Sequence, residues 1–254
     1  MRGEPRIIPA QQEVAMLGVL GGMGPMATVD FMGKVVQNTP ATCDQEHIQM
    51  VACSAANIPD RTAAILGQGA DPFPALRSTL RRLEAAGATC IAIPCNTAHH
   101  WHAALQAVTS VRILHIVDAV ADMLTRKGMQ GSCIGVLATS GTVKAGIYQK
   151  RLALHGFSCR MPGPAGQAEV MRAIRLVKAG QLAEATAILR TQAEALVAAG
   201  CRHVVMACTE IPVALASAEG GLRSALVDAT EALAQACVEA CMDKDARPAA
   251  RLAA

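Results

Sequence analysis

Aromatic side chains are nearly absent from this chain: one tryptophan, one tyrosine and three phenylalanines among 254 residues. Its core must therefore be packed from alanine, valine, leucine, isoleucine and methionine, in a chain long enough for one large or two small units. Charge is scarce as well, at 17% of residues, and the net +3 comes from 23 basic and 20 acidic positions scattered along the sequence. No run of one sign is long enough to form a nucleic-acid or membrane face, so neither partner is expected. Long apolar runs are also missing. An uncharged stretch near the start, residues 14–29, contains four glycines and Pro25 and is too short and too interrupted to cross a bilayer. Residues 1–13 carry Arg2, Arg6 and two prolines and lack the continuous apolar segment of a secretory signal; they read as a frayed extension. Among ten cysteines there is no CxxC pair, which argues for a reducing, cytoplasmic setting. Most of the ten, including Cys53, Cys90, Cys133, Cys237 and Cys241, read as small buried hydrophobes.

What is present is a repeated α/β grammar, the composition and pattern of a compact α/β protein. The segment from Val14 to Pro25 reads as a buried strand entering a glycine-rich turn, followed by a helix over about Met26–Val36. His47–Cys53 suits a second strand. Leu76, Leu80 and Leu83 mark an amphipathic helix that stops at Gly87, and residues 89–94 form a third strand. Immediately afterwards come Cys95, Asn96 and Thr97, with Asn96 or Thr97 expected to cap a new helix. The second half repeats this order: a strand and glycine turn over residues 132–142, helices on either side of Gly180, and a strand over residues 202–207 that again runs into a thiol, Cys208. Gly18 to Cys95 spans 77 positions and Gly135 to Cys208 spans 73, which implies two copies of one unit.

Parallel α/β sheets bind ligands beyond the carboxyl ends of their strands, so two facing units would bring both thiols to one cleft. The expected architecture is two similar α/β/α domains, each with a parallel four-stranded sheet, related by pseudo-twofold symmetry. Residues 1–113 with 222–254 would form the unit carrying Cys95, and residues 114–221 the unit carrying Cys208. The segment 225–242 is expected to be helical and to pack back on the first unit.

A thiol at a helix N-terminus meets free N–H groups and the positive end of the helix dipole, both of which favour the thiolate. One isolated cysteine in such a place is most often a small buried hydrophobe. Two in symmetry-related, polar, strand-to-helix positions fit a different task, namely removal of a proton from one face of a carbon and its return to the other.

The blocks Gly21-Gly-Met-Gly-Pro, Ile58-Pro-Asp-Arg-Thr, Ile93-Pro-Cys-Asn-Thr-Ala-His, Leu137-Ala-Thr-Ser-Gly-Thr and Cys208-Thr-Glu resemble, in order, the signature blocks of the aspartate/glutamate racemase family. The resemblance covers about residues 14 to 240. It implies a racemase that needs no pyridoxal phosphate or other cofactor, in which Cys95 and Cys208 match the two catalytic cysteines. It further implies that Met23, Asn96, Thr97, Thr209 and Glu210 line the amino-acid substrate, and that Arg61 binds a substrate carboxylate. Lys178 sits where family members place a second cationic contact, and a homodimer is the implied assembly. The opening Gly-Met-Gly-Pro and the Cys-Thr-Glu block differ from the Asp-Ser-Gly and Cys-Thr-His of cell-wall glutamate racemases, which points to the aspartate or broad-specificity branch. Ala207 replaces the glycine common before the second cysteine. Arylmalonate decarboxylases resemble this fold with one cysteine, so the pair favours racemisation.

Three other readings stand beside this one. Gly22-x-Gly24-x-x-Ala27 partly satisfies a dinucleotide fingerprint, with Glu46 as the ribose contact of an NAD-binding oxidoreductase. Cys90, Cys95, His99 and His100 offer zinc-ligand chemistry, although their spacing matches no closed site, and no metal is expected. A racemase-like protein that binds an amino acid without turnover is the third.

Overall fold

The computed structural model describes residues 15–243; the extension at residues 1–13 lies outside them. The first unit runs β1 (Met16–Gly21), α1 (Pro25–Asn38), β2 (Gln49–Ser54), α2 (Arg61–Ile65) and α3 (Phe73–Ala85). It continues with β3 (Cys90–Ala92), a 3₁₀ turn (Thr97–Trp101), α4 (His102–Gln106), β4 (Arg112–Ile113) and α5 (Ile116–Arg126). The second runs β5 (Cys133–Ala138), α6 (Ser140–Ala145), α7 (Ile147–Leu154), β6 (Ser158–Arg160), α8 (Pro164–Lys178) and α9 (Leu182–Ala198). Then follow β7 (His203–Ala207), α10 (Glu210–Ala214), α11 (Gly220–Ala225), β8 (Leu226–Asp228) and α12 (Ala229–Met242).

Both sheets are four-stranded and parallel throughout, ordered β2-β1-β3-β4 and β6-β5-β7-β8. The repeat read in the sequence is thus a repeat of topology, with β3 and β7, the strands that deliver the two cysteines, in equivalent places. The longer strands are covered on both faces, which is why they read as near-continuous apolar runs. Alternate residues serve different cores. Leu17, Val19, Cys90 and Ala92 of the first sheet join Ile134, Val136, Val205 and Ala207 of the second in one shared cluster. Leu20, Ile91 and Ile93 turn to the helix α3 side of the first sheet. Leu137, Val204 and Met206 turn toward α8 and α9.

The units are joined by exchanging cover. Helix α12, which follows the last strand of the second sheet, packs on α1, β1 and β3 of the first, while α5, which follows the last strand of the first sheet, packs on α7 of the second. The two crossing helices also pack on each other. Charged contacts fasten both crossings: Lys34 on α1 reaches Asp228 at 2.7 Å, and Arg151 on α7 holds Asp118 on α5 through two hydrogen bonds of 2.6 and 2.5 Å. Asp228 also caps α12 by accepting from the Thr230 and Glu231 amides. The short strands β4, β6 and β8 carry too little alternation to be read in sequence, and β8 gives residues 226–228 of the segment expected to be helical to the second sheet. Among the described residues no helix is long and apolar enough to cross a membrane.

Candidate active site

The carboxyl ends of β1, β3, β5 and β7 converge on a small cavity of about 40 Å³ lined by Met23, Arg61, Cys95, Asn96, Thr97, Lys178, Cys208, Thr209 and Glu210, together with Asp60, Thr62 and Thr139. All nine residues singled out in the sequence therefore meet in one place. Each is delivered by a turn that follows a strand or by a helix terminus. Met23 follows the turn at Gly22, which has φ +93° and whose missing Cβ would lie 2.4 Å from the Ala55 backbone; glycine alone fits there. Arg61 opens α2, whose N-cap Asp60 accepts from the Ala63 amide at 2.7 Å. Its Nη1 donates to the Ile58 and Pro59 carbonyls at 2.9 Å each, so the loop fixes the guanidinium, while its buried Nε has no partner.

Cys95 and Cys208 are 7% and 8% exposed. The expectation that helix N-termini would hold them as thiolates is corrected by the structure. Cys95 precedes a five-residue 3₁₀ turn that runs directly into α4, and Cys208 precedes a helix of five; at neither does the helix terminus outweigh burial. Burial dominates and pushes the Cys95 thiol up, against the opposing charge of Arg61 and the Ala98 amide. Cys208 is pushed well above the ordinary thiol range, by burial first and then by the neighbouring Glu210 carboxylate. Its Sγ donates to Glu210 Oε2 at 2.9 Å, and the Thr209 hydroxyl donates to the same oxygen at 3.1 Å. The two sulfurs are chemically alike but unequally placed: a cation stands beside Cys95 and an anion beside Cys208.

The capping role expected of Asn96 or Thr97 is also corrected, since neither side chain caps the turn that follows. Asn96 Oδ1 instead accepts from the Tyr148 hydroxyl at 2.6 Å, and Asn96 Nδ2 is buried without a partner. Thr97 Oγ1 lies 2.9 Å from Thr139 Oγ1 and 3.0 Å from Thr142 Oγ1, a three-hydroxyl contact between the units. Lys178, at the end of α8, pairs with Glu210 at 3.5 Å, its side chain 56% exposed and that of the glutamate 14%. Sequence reasoning did not single out Tyr148, Thr139 or Thr142. Thr139 and Thr142 lie in a block quoted for its resemblance, and Tyr148 could have been noticed as the one tyrosine in a chain poor in aromatics.

The alternative readings find little support in the geometry. Glu46 lies in a 3₁₀ turn ahead of β2, where it accepts from the Thr42 amide and hydroxyl, rather than at the carboxyl end of that strand where a ribose-binding acid belongs. Of the four suggested zinc ligands, Cys90 faces the shared core and Cys95 the cavity side. His99 is buried and His100 exposed against Trp101, so the four do not converge.

Residues 20–237 match the family model described as Asp/Glu/Hydantoin racemase. The aspartate racemase of Picrophilus torridus superposes with a TM-score of 0.78 at 30% identity, over 89% of this chain and 94% of that one. An aspartate racemase homologue from Pyrococcus horikoshii shares the fold with a TM-score of 0.71 at 22% identity, over 91% of this chain and 100% of its own. The broad specificity amino-acid racemase RacX of Bacillus subtilis is 31% identical over 147 residues, which is 56% of this chain and 62% of RacX.

Proposed function

Because the chain belongs to the Asp/Glu/hydantoin racemase family, we propose that it interconverts the enantiomers of an amino acid by passing the α-proton between Cys95 and Cys208. The observation that carries this reading is that two thiols from equivalent strand ends of two sheets line one cavity, whose walls also hold two buried N–H donors without partners, Arg61 Nε and Asn96 Nδ2. Unpaired buried donors cost stability unless a ligand uses them. A substrate carboxylate would satisfy both.

In the reaction one sulfur, as thiolate, takes the α-proton, and the electron pair of the broken C–H bond moves into the α-carboxylate. The opposite thiol then donates its proton to the other face of the carbon. The donors on the carboxylate stabilise the charge that builds there. The protein alone keeps both thiols protonated, but the α-ammonium of a substrate adds positive charge beside the sulfurs and favours the thiolate. Cys95, with Arg61 beside it, is the sulfur that ionises more readily, and Cys208, hydrogen-bonded to Glu210, is the one that holds its proton.

A cavity of about 40 Å³ holds about one water, so admission of an amino acid requires the walls to part. The Lys178–Glu210 pair is the natural place. An ion pair with so exposed a partner contributes only about 0–1 kcal/mol, and a side-chain carboxylate arriving at the rim would compete for Lys178. With Arg61 on the opposite wall, two cations favour an acidic amino acid, aspartate or glutamate.

The test is incubation of single enantiomers of acidic, neutral and basic amino acids in heavy water. A racemase incorporates deuterium at the α-carbon and loses optical rotation; a protein that only binds does neither. Cys95→Ser and Cys208→Ser are each expected to lower turnover by roughly 10²–10⁴-fold, the usual worth of a general acid or base, with binding largely kept. Near-normal turnover in either variant would discard the two-thiol mechanism.

A further inference from the structure

Tyr148 stands on α7 in the shared core and is fully buried. A phenol in such a place needs a partner for its hydroxyl, and it finds one across the boundary between the units by donating to Asn96 Oδ1 at 2.6 Å. Asn96 directly follows Cys95, is 3% exposed and lines the cavity. Its Nδ2 is the half of the amide left without a partner.

A side-chain amide has an accepting end and a donating end. If the Asn96 amide turned over, its NH₂ would face the phenol and the phenolic proton would be left in an apolar core without an acceptor. That loss is the full desolvation penalty of a buried donor, enough to hold the amide in one orientation. The phenol is a dependable donor. Burial, with the negative charge of Asp228 behind it, pushes its ionisation well above the ordinary range, so the proton stays in place at any working pH.

We propose that Tyr148 is a positioning residue for the reaction: its hydroxyl holds the Asn96 amide with the NH₂ turned into the cavity, where it donates to a substrate carboxylate oxygen. The second unit thereby sets donor geometry beside the first unit's thiol. The inference rests on the racemase reading above.

A four-membered cycle of wild type, Tyr148→Phe, Asn96→Ala and the double variant tests it, with kcat and KM measured for the amino acid the wild type exchanges fastest. Tyr148→Phe is expected to raise KM roughly tenfold with a smaller change in kcat. Asn96→Ala should do at least as much, and the double variant should be no worse than Asn96→Ala alone. Additive losses, or an unchanged KM in Tyr148→Phe, would overturn the inference. Should the phenylalanine variant fail to fold, Asn96→Asp keeps an acceptor for the phenol while removing the N–H. It is expected to lose substrate affinity, and an unchanged KM there would also overturn the inference. A wild type that exchanges no α-proton overturns the racemase reading and this inference together, whereas an active wild type with additive variants overturns this inference alone.

Discussion

At the scale of single residues, the two sulfurs differ by their neighbours. Arg61 moderates the effect of burial on Cys95, and Glu210 compounds it on Cys208. A two-base racemase needs one thiolate and one thiol, so its kcat/KM rises as the first sulfur ionises and falls as the second does. The rise should extend above neutral pH, since both thiols lie above the ordinary range. Glu210→Gln removes the negative charge that raises Cys208, so the alkaline fall should begin at lower pH than in the wild type. A pH profile of kcat/KM checks this, and an unmoved falling limb would detach Glu210 from the second sulfur. The two cysteines could be singled out from their strand-to-helix positions, whereas the other seven candidates, Lys178 included, came from the family resemblance. Tyr148 offered only its rarity as a signal, because nothing local announces a side chain that acts by crossing from one unit to the other.

At the scale of elements, the turn that carries Cys95 is braced by imidazoles. The Ile93 carbonyl accepts from the Cys95 amide at 2.7 Å and lies 3.1 Å from His99 Nε2. The His99 and His102 rings each lie 4.7 Å from that of His115. Burial lowers all three pKa values, that of His115 to about 3, so the folded protein holds them neutral. The unfolded chain takes up these protons below about pH 6.5. Stability is therefore full above that value and declines as the pH falls from there toward about 3, the range over which the unfolded state binds more protons. His115 Nδ1 also accepts from the Val117 amide as the N-cap of α5, a role asparagine can fill. His115→Asn should therefore lose less melting temperature between pH 7 and pH 5 than the wild type; an equal or larger loss would contradict the assignment. The long, strongly periodic elements of this fold were legible in the sequence, α3 through Leu76, Leu80 and Leu83. The short strands β4, β6 and β8 were not, because pairing with a neighbour defines them rather than any pattern of their own.

At the scale of the molecule, the repeat of glycine-to-cysteine spacing pointed to two units, but spacing carries no information on how their helices are exchanged. The largest cluster of buried side chains among the described residues belongs to both sheets and includes Leu233 of α12, Leu124 of α5, Phe31 and Tyr148, all fully buried. The two halves should therefore unfold together, as one calorimetric transition whose van't Hoff and calorimetric enthalpies agree. Leu233→Ala should lower stability by about 2–5 kcal/mol and move that single transition without splitting it. Two resolved transitions, one insensitive to the substitution, would show that each half stands alone.

The exchange of α5 and α12 has a consequence for how such a protein could arise. A chain of half this length, built on the same plan, would leave one side of its sheet bare and would find its missing roof only on a second copy of itself. That pairing sets identical sulfurs opposite one another across the seam. Mirror-image handling of a carbon atom would then come with the act of association, before any difference between the two halves had accumulated.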